Sequence, residues 1–199
     1  MTDHYYTHSP QAKRDPRVIQ VAVRDIELQL QTDNGVFSKA GLDEATRRLL
    51  EQVWLPSDAF VLDLGCGYGP VTAVLGKVYP DSRWVLVDVN ERALELAALN
   101  TAMFGERCQT ICSDGIPPDL VEVFTDVILN PPIRAGKAVV YRLFEDAHRA
   151  LQMGGRLWVV IQKKHGAPSA YAELENRFSE VETVYRKSGY FVFLAKKLT

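Results

Sequence analysis

Short apolar runs alternate with helical patterns through most of this chain, and this alternation restricts the fold more than any other feature. The apolar runs are AFVLDLG, RWVLVDV, CQTICSD, TDVILN and RLWVVIQ, at residues 59–65, 83–89, 108–114, 125–130 and 156–162. The helical patterns between and after them cover residues 69–80, 90–105, 138–155 and 171–179. Near-continuously apolar strands belong to parallel sheets that helices cover on both faces. We therefore predict an α/β fold with a doubly wound sheet.

The last two apolar runs indicate a reversal at one edge of this sheet. They are VETVYRKS and GYFVFLAKK, at residues 181–188 and 189–197, with Ser188-Gly189 between their cores. A connection this short cannot cross over to a parallel neighbour, so the two strands should form an antiparallel hairpin. The predicted sheet is mostly parallel and seven-stranded, with a C-terminal antiparallel hairpin.

The first 55 residues are predicted to add a β-hairpin and a helix to that core. Residues 18–23 and 26–32 are β-type runs on either side of Arg24-Asp25. Residues 43–54 form a helical pattern that begins with two acids and stops before Pro56. We expect a single domain over residues 1–199, with residues 1–55 as an N-terminal extension or lid and residues 56–199 as the catalytic core.

Composition and charge exclude several classes of protein. No apolar run is long enough to cross a bilayer, and the polar N-terminus lacks the apolar stretch of a secretory signal. Cys66, Cys108 and Cys112 have no metal-ligand spacing, so neither a disulfide framework nor a metal site is expected. We expect a cytoplasmic protein. Because the net charge is −2, a nucleic-acid partner would have to meet a local basic patch.

A glycine-rich turn follows the first strand of the core. Gly65, Gly67 and Gly69 have the spacing G-x-G-x-G, one residue shorter than the G-x-G-x-x-G of dinucleotide-binding folds. Asp63 precedes this loop, and a carboxylate there suits a cationic ligand better than a pyrophosphate. S-adenosylmethionine, with a sulfonium and an ammonium group, fits this pattern if Asp63 holds the ammonium. The alternatives are a nucleotide-phosphate loop and a purely structural turn.

Acids at the ends of the next two strands extend this prediction. Asp88 can accept hydrogen bonds from both hydroxyls of a ribose, as acids about 20 residues past such glycines do. Asp114 is placed to accept from an adenine amino group. Asn90 is expected mainly to cap the next helix, with a second role near the ribose. The remaining predicted cofactor contacts are Cys66, Gly115 and Asn130.

Four motifs, VLDLGCGYGP, VDVN, SDG and NPPI, occur in an order and spacing that resemble the class I S-adenosylmethionine-dependent methyltransferases over residues 59–197. More narrowly, GVFSKAGLDEATRRLL, NPPIRAGK and VIQKKHGAPSA resemble the "methyltransferase small" family, back to about residue 35 and to Tyr5-Tyr6. That family includes bacterial 16S ribosomal RNA guanine 2-amino methyltransferases and their single-domain relatives. The resemblance implies a Rossmann-like methyltransferase fold and S-adenosylmethionine as cofactor.

Asn130-Pro131-Pro132 ends the fourth strand, and the prolines by themselves explain why the strand stops. Beside a methyl donor the same turn has a chemical use. The exocyclic amine of a purine is a poor nucleophile because its lone pair is delocalised into the ring. The Asn130 side-chain carbonyl and the Pro131 backbone carbonyl can each accept one amino hydrogen, which directs the lone pair. The predicted catalytic residues are Asn130, Pro131, Pro132 and Ile133.

Ile133 departs from the pattern of the broader family. Adenine and glutamine methyltransferases with this motif usually have an aromatic residue at this position, which stacks on the target group. Isoleucine can cover a base but lacks the stacking interaction. We hypothesise that Phe37, in GVFSKAG, supplies a ring from the N-terminal side. The alternative is that Phe37 belongs to the core.

Basic residues follow two of the predicted strands. Arg134 and Lys137 come after the fourth strand, and Lys163 and Lys164 come after the fifth. In this fold both segments should lie at the rim of one cleft, where cations can contact RNA phosphates. Charge runs on loops are otherwise solvated surface. His165 is as consistent with a loop residue as with a substrate contact.

The predicted reaction is methyl transfer to the 2-amino group of a guanosine in 16S ribosomal RNA. The expected partner is ribosomal RNA or the small ribosomal subunit, without membrane or metal, and the expected state is a monomer. One alternative acceptor is a protein glutamine or an adenine amine, against which Ile133 and the IRAGK continuation argue. Another alternative is a non-catalytic assembly factor that binds S-adenosylmethionine and RNA, against which the intact Asn-Pro-Pro set argues.

Overall fold

Nine strands and five α-helices form the part of the chain that the structure, a computed structural model, describes, residues 8–199. The strands are β1 (Arg17–Val23), β2 (Ile26–Thr32), β3 (Phe60–Leu64), β4 (Arg83–Asp88), β5 (Cys108–Cys112), β6 (Phe124–Leu129), β7 (Leu151–Gln162), β8 (Glu180–Lys187) and β9 (Tyr190–Lys196). The α-helices are α1 (Glu44–Gln52), α2 (Pro70–Val78), α3 (Glu91–Thr101), α4 (Lys137–Ala150) and α5 (Ala167–Glu175). None of these helices combines the length and apolarity needed to span a membrane. Tyr5-Tyr6 lies outside the described residues.

Strands β3 to β9 form one sheet in the order β5-β4-β3-β6-β7-β9-β8, which confirms the predicted seven-stranded sheet. The pairs β3–β4, β3–β6, β4–β5 and β6–β7 are parallel. Strand β9 runs antiparallel to both β7 and β8, which confirms the predicted C-terminal hairpin. The strand order reverses between β3 and β6. In open α/β sheets, ligands bind at the carboxyl ends of the strands beside such a switch point.

Apolar side chains cover both faces of this sheet, as two neighbouring residues of β3 illustrate. Val61 belongs to a cluster with residues of α1, α2 and α3, whereas Leu62 belongs to a second cluster with residues of α4 and α5. The antiparallel pair β1–β2 is a separate sheet, and its buried residues, among them Leu30, belong to the first cluster. The hairpin and α1 therefore share the core of one face. Their separation as an extension or lid stays a prediction.

Helix α1 begins at a residue whose position matters for the site. Asp43 is the N-cap of α1, and its side chain accepts a hydrogen bond from the backbone N–H of Thr46 at 3.0 Å. Leu49 and Leu50 are completely buried in the cluster that also contains Trp158 of β7. This packing holds α1 against the sheet, with its N-terminus near the end of β6.

The prediction that the long helix extends to Gly154-Gly155 is wrong. Helix α4 ends at Ala150, and Leu151 already has extended backbone angles, φ −72° and ψ 135°. Leu151 pairs with Phe124, and the N–H of Gly154 donates to the carbonyl of Lys197 at 2.7 Å. These partners are distant in sequence, so the local helical pattern gives way to strand pairing that exists only in the folded protein.

The last helix begins four residues before its predicted start at Tyr171. Helix α5 starts at Ala167 after Gly166, which has a φ of 90°, and its first turn includes Pro168. Proline is compatible with a first turn because the N–H that it lacks would have no partner within the helix. The segment after β7 is therefore shorter than the sequence indicates.

Candidate functional site

Three strand ends meet at the switch point of the sheet. The parallel register aligns the last residues of β3, β4 and β6. Gly65, Asp88 and Asn130, which end or follow these strands, therefore come to the same edge. All three line one cavity, called the first cavity below, of about 930 Å³ including its open mouth.

The glycine loop presents bare backbone to the first cavity. Gly65 and Gly67 have φ values of 69° and 56°, and a Cβ at either position would meet no atom within 4 Å. L side chains rarely adopt these angles, so the loop requires glycine there. Gly69 differs because its Cβ would lie 3.2 Å from the Cα of Ala97. Gly69 lets α2 approach α3 closely and does not line the first cavity.

Asp88 joins the glycine loop to the end of β4. Its carboxylate oxygens accept hydrogen bonds from the backbone N–H groups of Gly67 and Asn90, both at 2.8 Å. Each carboxylate oxygen can accept a second hydrogen bond, so the side chain can still hold two neighbouring donors. Burial raises the pKa of Asp88, and the backbone hydrogen bonds act in the opposite direction.

Asp63 and Asp88 are the only charged residues that line the first cavity in residues 8–199. Asp63 is 2% exposed, and its Oδ2 accepts from the hydroxyl and the N–H of Thr72 at 2.7 and 3.3 Å. Burial raises the pKa of Asp63 to about 7; the hydrogen bonds from Thr72 oppose this rise, and the charge of Asp88 adds to it. A nearby cation would favour the ionised form. The first cavity therefore suits a positively charged ligand.

A buried hydroxyl in the wall of the first cavity has no hydrogen-bond partner among the residues that the structure describes. Tyr68 is 2% exposed, and within residues 8–199 nothing pairs with its Oη. Leaving such a group unpaired costs about 1–3 kcal/mol. Burial raises the pKa of Tyr68, so the hydroxyl stays protonated at neutral pH. A ligand that offers an acceptor to this hydroxyl would remove that cost.

The side-chain amide of Asn130 is held from one side. Its Nδ2 donates to the hydroxyl of Thr46 at 3.0 Å and to the carboxylate of Asp43 at 3.2 Å. Because the amide nitrogen is turned toward α1, the carbonyl oxygen Oδ1 is the end of the amide that these two residues leave to a ligand.

The two prolines after Asn130 are buried. The carbonyl of Pro131, a predicted acceptor for the target amine, already accepts from the N–H of Ile133 at 2.9 Å. A carbonyl oxygen has two lone pairs, so it can accept one further hydrogen bond. Pro131 and Pro132 line the first cavity, whereas Ile133 lines a neighbouring one.

This second cavity, of about 1570 Å³ including open solvent, adjoins the first. Phe37, Asn130 and Pro131 line both cavities. The basic residues in the lining of the second cavity are Lys39, Arg134, Lys164 and His165. Asp43 is the one acidic residue in that lining, within the described chain. Phe37 is 39% exposed, so it lies at the surface where the cavities meet and not in the core.

Three further predicted site residues lie apart from both cavities. Asp114 is exposed, and its carboxylate pairs with Arg142 at 2.6 Å, while the adjacent Gly115 lines the first cavity. Lys137 lines a smaller pocket beside α5, and Lys163 is exposed. The roles predicted for Asp114, Lys137 and Lys163 stay predictions.

Asn90 caps α3, as the sequence predicts. Its Oδ1 accepts from the N–H of Ala93 at 3.1 Å, and its Nδ2 donates to the carbonyl of Gly35 at 2.8 Å. Asn90 and Cys66 also line the first cavity. Both side chains therefore occupy positions from which a cofactor contact is sterically open, and that contact stays a prediction.

Cys66, Cys108 and Cys112 are free thiols in the structure. The thiol of exposed Cys112 lies within 4.8 Å of ligand atoms of His8 and Glu91. This cluster of three side chains does not test the expected absence of a metal, which stays a prediction.

The residues that line these cavities include several that reasoning from the sequence missed, among them Lys39, Asp43, Thr46 and Tyr68. The Asp43-x-x-Thr46 spacing is a signal for a helix start. No sequence pattern connects Thr46 to Asn130, which follows 84 residues later. Tyr68 lies inside the glycine loop, and that location was the available signal for its role.

Comparison with known proteins places this geometry in a family. The family model of the methyltransferase small domain matches residues 27–194. YbxB, an uncharacterized protein of Bacillus subtilis, is 39% identical to this chain over 100% of both chains. Ribosomal RNA small subunit methyltransferase C of Pseudomonas aeruginosa is 32% identical over 94% of this chain and 58% of its own length. Ribosomal RNA large subunit methyltransferase G of Pseudomonas putida is 33% identical over 85% of this chain and 46% of its own length.

The fold is shared with a solved structure. The 16S rRNA N2 G1207 methyltransferase RsmC of T. thermophilus, in complex with AdoMet and guanosine, aligns with a TM-score of 0.79 and 25% sequence identity. The alignment covers 94% of this chain and 52% of that one. This chain thus spans about half the length of the three ribosomal RNA methyltransferases compared with it.

Proposed function

This chain belongs to the methyltransferase small domain family, and from that premise we propose that it methylates the 2-amino group of a guanosine in small-subunit ribosomal RNA. The methyl donor is S-adenosylmethionine. The solved relative that aligns with 94% of the chain holds AdoMet and guanosine, which supports both the donor and the acceptor of the proposal.

The observation that carries the proposal is that Asn130 and Pro131 stand in a wall shared by two cavities of different chemistry. The first cavity is lined by bare glycine backbone and two carboxylates, and the second by several cations. Residues in a common wall can contact two bound molecules at once. Group transfer requires such a juxtaposition of donor and acceptor.

The residues of the first cavity fit S-adenosylmethionine. We propose that Asp63 holds its ammonium group and Asp88 its ribose hydroxyls, while Gly65 and Gly67 contact its methionine part. The unpaired hydroxyl of Tyr68 is available to its carboxylate. When bound, this cofactor supplies an electrophilic methyl group on a positively charged sulfur. Within residues 8–199, no lysine or arginine belongs to this lining, which argues against a phosphate-bearing ligand.

Asn130 and Pro131 are proposed to bind the acceptor amine. The Oδ1 of Asn130 and the carbonyl of Pro131 each accept one amino hydrogen, which directs the nitrogen lone pair toward the first cavity. These hydrogen bonds strengthen as positive charge develops on the nitrogen, so they stabilise the transition state more than the ground state. A strong general base is unnecessary because the proton leaves after the nitrogen has become cationic.

The second cavity supplies the other contacts of an RNA acceptor. Phe37, at the junction of the two cavities, is proposed to pack against the face of the base in place of the aromatic residue that Ile133 replaces. Lys39, Arg134 and Lys164 are proposed to contact the phosphates that flank it. Cations around a base pocket favour a nucleic-acid acceptor over a protein glutamine. A monomer in the cytoplasm remains the expectation.

The proposal is tested with labelled S-adenosylmethionine and ribosomal subunits from a strain that lacks the gene. Digestion of the RNA to nucleosides, followed by mass spectrometry, identifies the methylated product. We expect 2-methylguanosine in small-subunit RNA. N6-methyladenosine or methylglutamine would change the acceptor, and label in large-subunit RNA would change the subunit. No methylation, despite binding of S-adenosylmethionine in calorimetry, would support the non-catalytic alternative.

Replacing Arg134 and Lys164 together by alanine is expected to raise the KM for RNA about 10- to 100-fold at 0.1 M salt. Each lost phosphate contact also lowers the salt dependence of RNA binding, so the slope of log KM against log salt should become shallower. The dissociation constant for S-adenosylmethionine should not change, because neither residue lines the first cavity.

A matched control removes two cations from the opposite end of the sheet. Lys77 near the end of α2 and Arg83 at the start of β4 are both exposed. The Lys77→Ala/Arg83→Ala variant loses the same charge and should keep the wild-type KM for RNA. Equal effects of the two double variants would mean that overall charge, and not the second cavity, attracts the RNA.

A further inference from the structure

The N-terminus of α1 contacts the proposed catalytic turn through a small, partly buried network. Thr46 is 5% exposed, and its hydroxyl accepts from the Nδ2 of Asn130 at 3.0 Å. The Oδ2 of Asp43 accepts from the same Nδ2 at 3.2 Å. It also accepts from the backbone N–H of Thr46 at 3.0 Å and from the Thr46 hydroxyl at 3.4 Å. Two residues from the N-terminal part of the chain thus hold a side chain at the end of β6.

This network distinguishes the two ends of the Asn130 amide. An ionised carboxylate can only accept hydrogen bonds, and the Thr46 hydroxyl, which donates to that carboxylate, can accept from a neighbour. Only the amide nitrogen of Asn130 satisfies both partners. In the flipped orientation, Oδ1 would face the carboxylate of Asp43 without a hydrogen bond and with electrostatic repulsion. The network therefore selects the orientation that leaves Oδ1 to the acceptor amine.

The network also changes the electronic character of the acceptor oxygen. An amide that donates to a carboxylate is polarised, so its carbonyl oxygen becomes a stronger hydrogen-bond acceptor. The Asp43 carboxylate adds a negative charge behind Asn130, on the side of the second cavity, whose lining includes Asp43. Both effects favour a target nitrogen on which positive charge develops in the transition state.

We propose that Asp43 and Thr46 are positioning residues that orient and polarise the Asn130 amide for methyl transfer, an inference that rests on the proposed function. Asp43 then has two duties, since it is also the N-cap of α1. Coupling the cap to Asn130 makes the packing of α1 against the sheet part of the active-site geometry. The GVFSKAGLDEATRRLL segment, which belongs to neither the glycine loop nor the Asn-Pro-Pro turn, gains a role in the chemistry.

Three variants test this proposal. Thr46→Val removes the hydroxyl with little change of shape, and Thr46→Ser keeps the hydroxyl. Asp43→Asn keeps a good N-cap residue but no longer forces the amide of Asn130 into one orientation. We expect kcat to fall about 10- to 50-fold in Thr46→Val and Asp43→Asn, as for a weakened transition-state contact. The KM values for RNA and S-adenosylmethionine should stay within about twofold, and Thr46→Ser should keep near wild-type kcat.

A control variant separates positioning of Asn130 from the general loss of a hydrogen-bonded threonine hydroxyl. Thr125, at the start of β6 and the opposite end of that strand, bonds Phe60 and Asp126 through its hydroxyl. Thr125→Val should lose stability in urea denaturation yet keep wild-type kcat. Equal losses of kcat in Thr125→Val and Thr46→Val would show a stability effect. Full activity of Thr46→Val and Asp43→Asn would overturn the proposal.

The hydrogen bonds of the Asn130 side-chain amide can also be tested by NMR, without an RNA acceptor. The side-chain amide signals of Asn130 are identified in 15N-labelled protein by their disappearance in Asn130→Ala. We expect them to exchange slowly with solvent in the wild type and at least tenfold faster in Thr46→Val, since a hydrogen bond is lost. Unchanged exchange would show that the network does not hold the amide. Slow exchange in a wild-type protein that methylates no RNA would contradict the proposed function and not the network.

Discussion

Alanine in place of Asn130 is expected to lower the rate of methyl transfer about a hundredfold to a thousandfold, the usual loss when one preorganised transition-state contact is removed. The variant keeps the Pro131 carbonyl but loses the oxygen that accepts the second amino hydrogen. The nitrogen lone pair is then no longer directed. Single-turnover transfer from labelled S-adenosylmethionine to small-subunit RNA measures the rate without interference from product release.

The same variant should still bind S-adenosylmethionine within a few fold of wild type, since Asp63, Asp88 and the glycine loop are intact. Asn176→Ala is the matched control because Asn176 is exposed at the end of α5, away from both cavities. It should keep full activity. Near wild-type transfer by Asn130→Ala would remove this residue from the mechanism.

Asparagine in place of Asp63 is expected to stabilise the ligand-free protein at pH 8 while it weakens cofactor binding. Raising the pKa of this carboxyl from its ordinary 3.8 to about 7 corresponds to roughly 4 kcal/mol of destabilisation, an upper limit, when it is ionised in the folded protein. Asparagine removes the buried charge and can still accept from Thr72. Urea denaturation at several pH values, with exposed Asp81→Asn as control, measures the difference.

The pH dependence follows from the direction of that pKa change. Between 3.8 and about 7 the folded wild type holds a proton on Asp63 that the unfolded chain has released, so its stability falls as the pH rises through this window. The variant has no such proton. The free energy of unfolding of Asp63→Asn should exceed that of the wild type by little near pH 4. This difference should grow toward pH 7 and stay constant above. If the stability difference does not change between pH 5 and pH 8, Asp63 is not a buried carboxyl that ionises in this range.

Whereas the Asp63→Asn substitution should stabilise the ligand-free protein, it should weaken the binding of S-adenosylmethionine. A cation beside Asp63 favours its ionised form, so binding of S-adenosylmethionine near pH 7 should release a proton in the wild type and none in Asp63→Asn. Calorimetry in buffers of different ionisation enthalpy measures that proton. The dissociation constant should rise about 10- to 100-fold in the variant, as expected for loss of a charged hydrogen-bond partner. Unchanged affinity would place the ammonium elsewhere.

The strand pattern and the chemistry of the strand ends were predictable from the sequence. Apolar runs such as VLDL mark strands that are buried on both faces, and the parallel order follows because helices separate them. The carboxyl ends of parallel strands lie at one edge of the sheet, so the residues at the ends of β3, β4 and β6 are expected to come together. Gly65, Asp88 and Asn130 were recognisable for this reason.

The ends of the helices and the roles of residues in packing were less predictable. The helical pattern through Leu151 was wrong because strand pairs with Phe124 and Lys197 compete for that segment, and neither partner is local. The cofactor contact predicted for Gly69 stays a prediction, and the lack of a side chain at Gly69 also lets α3 approach closely. Its φ of 84° is positive, like those of the other loop glycines, so spacing alone cannot separate a cofactor contact from a packing role.

The sequence by itself determined the sheet, the glycine loop and the Asn-Pro-Pro turn, because periodicity, spacing and proline chemistry act over a few residues. Only the tertiary structure decided that Asp43 and Thr46 hold Asn130, that Tyr68 leaves a hydroxyl unpaired in the first cavity, and that Phe37 lies between the two cavities. These contacts join segments tens of residues apart. They depend on how α1 packs over the sheet, and a pattern of neighbouring residues does not determine this packing.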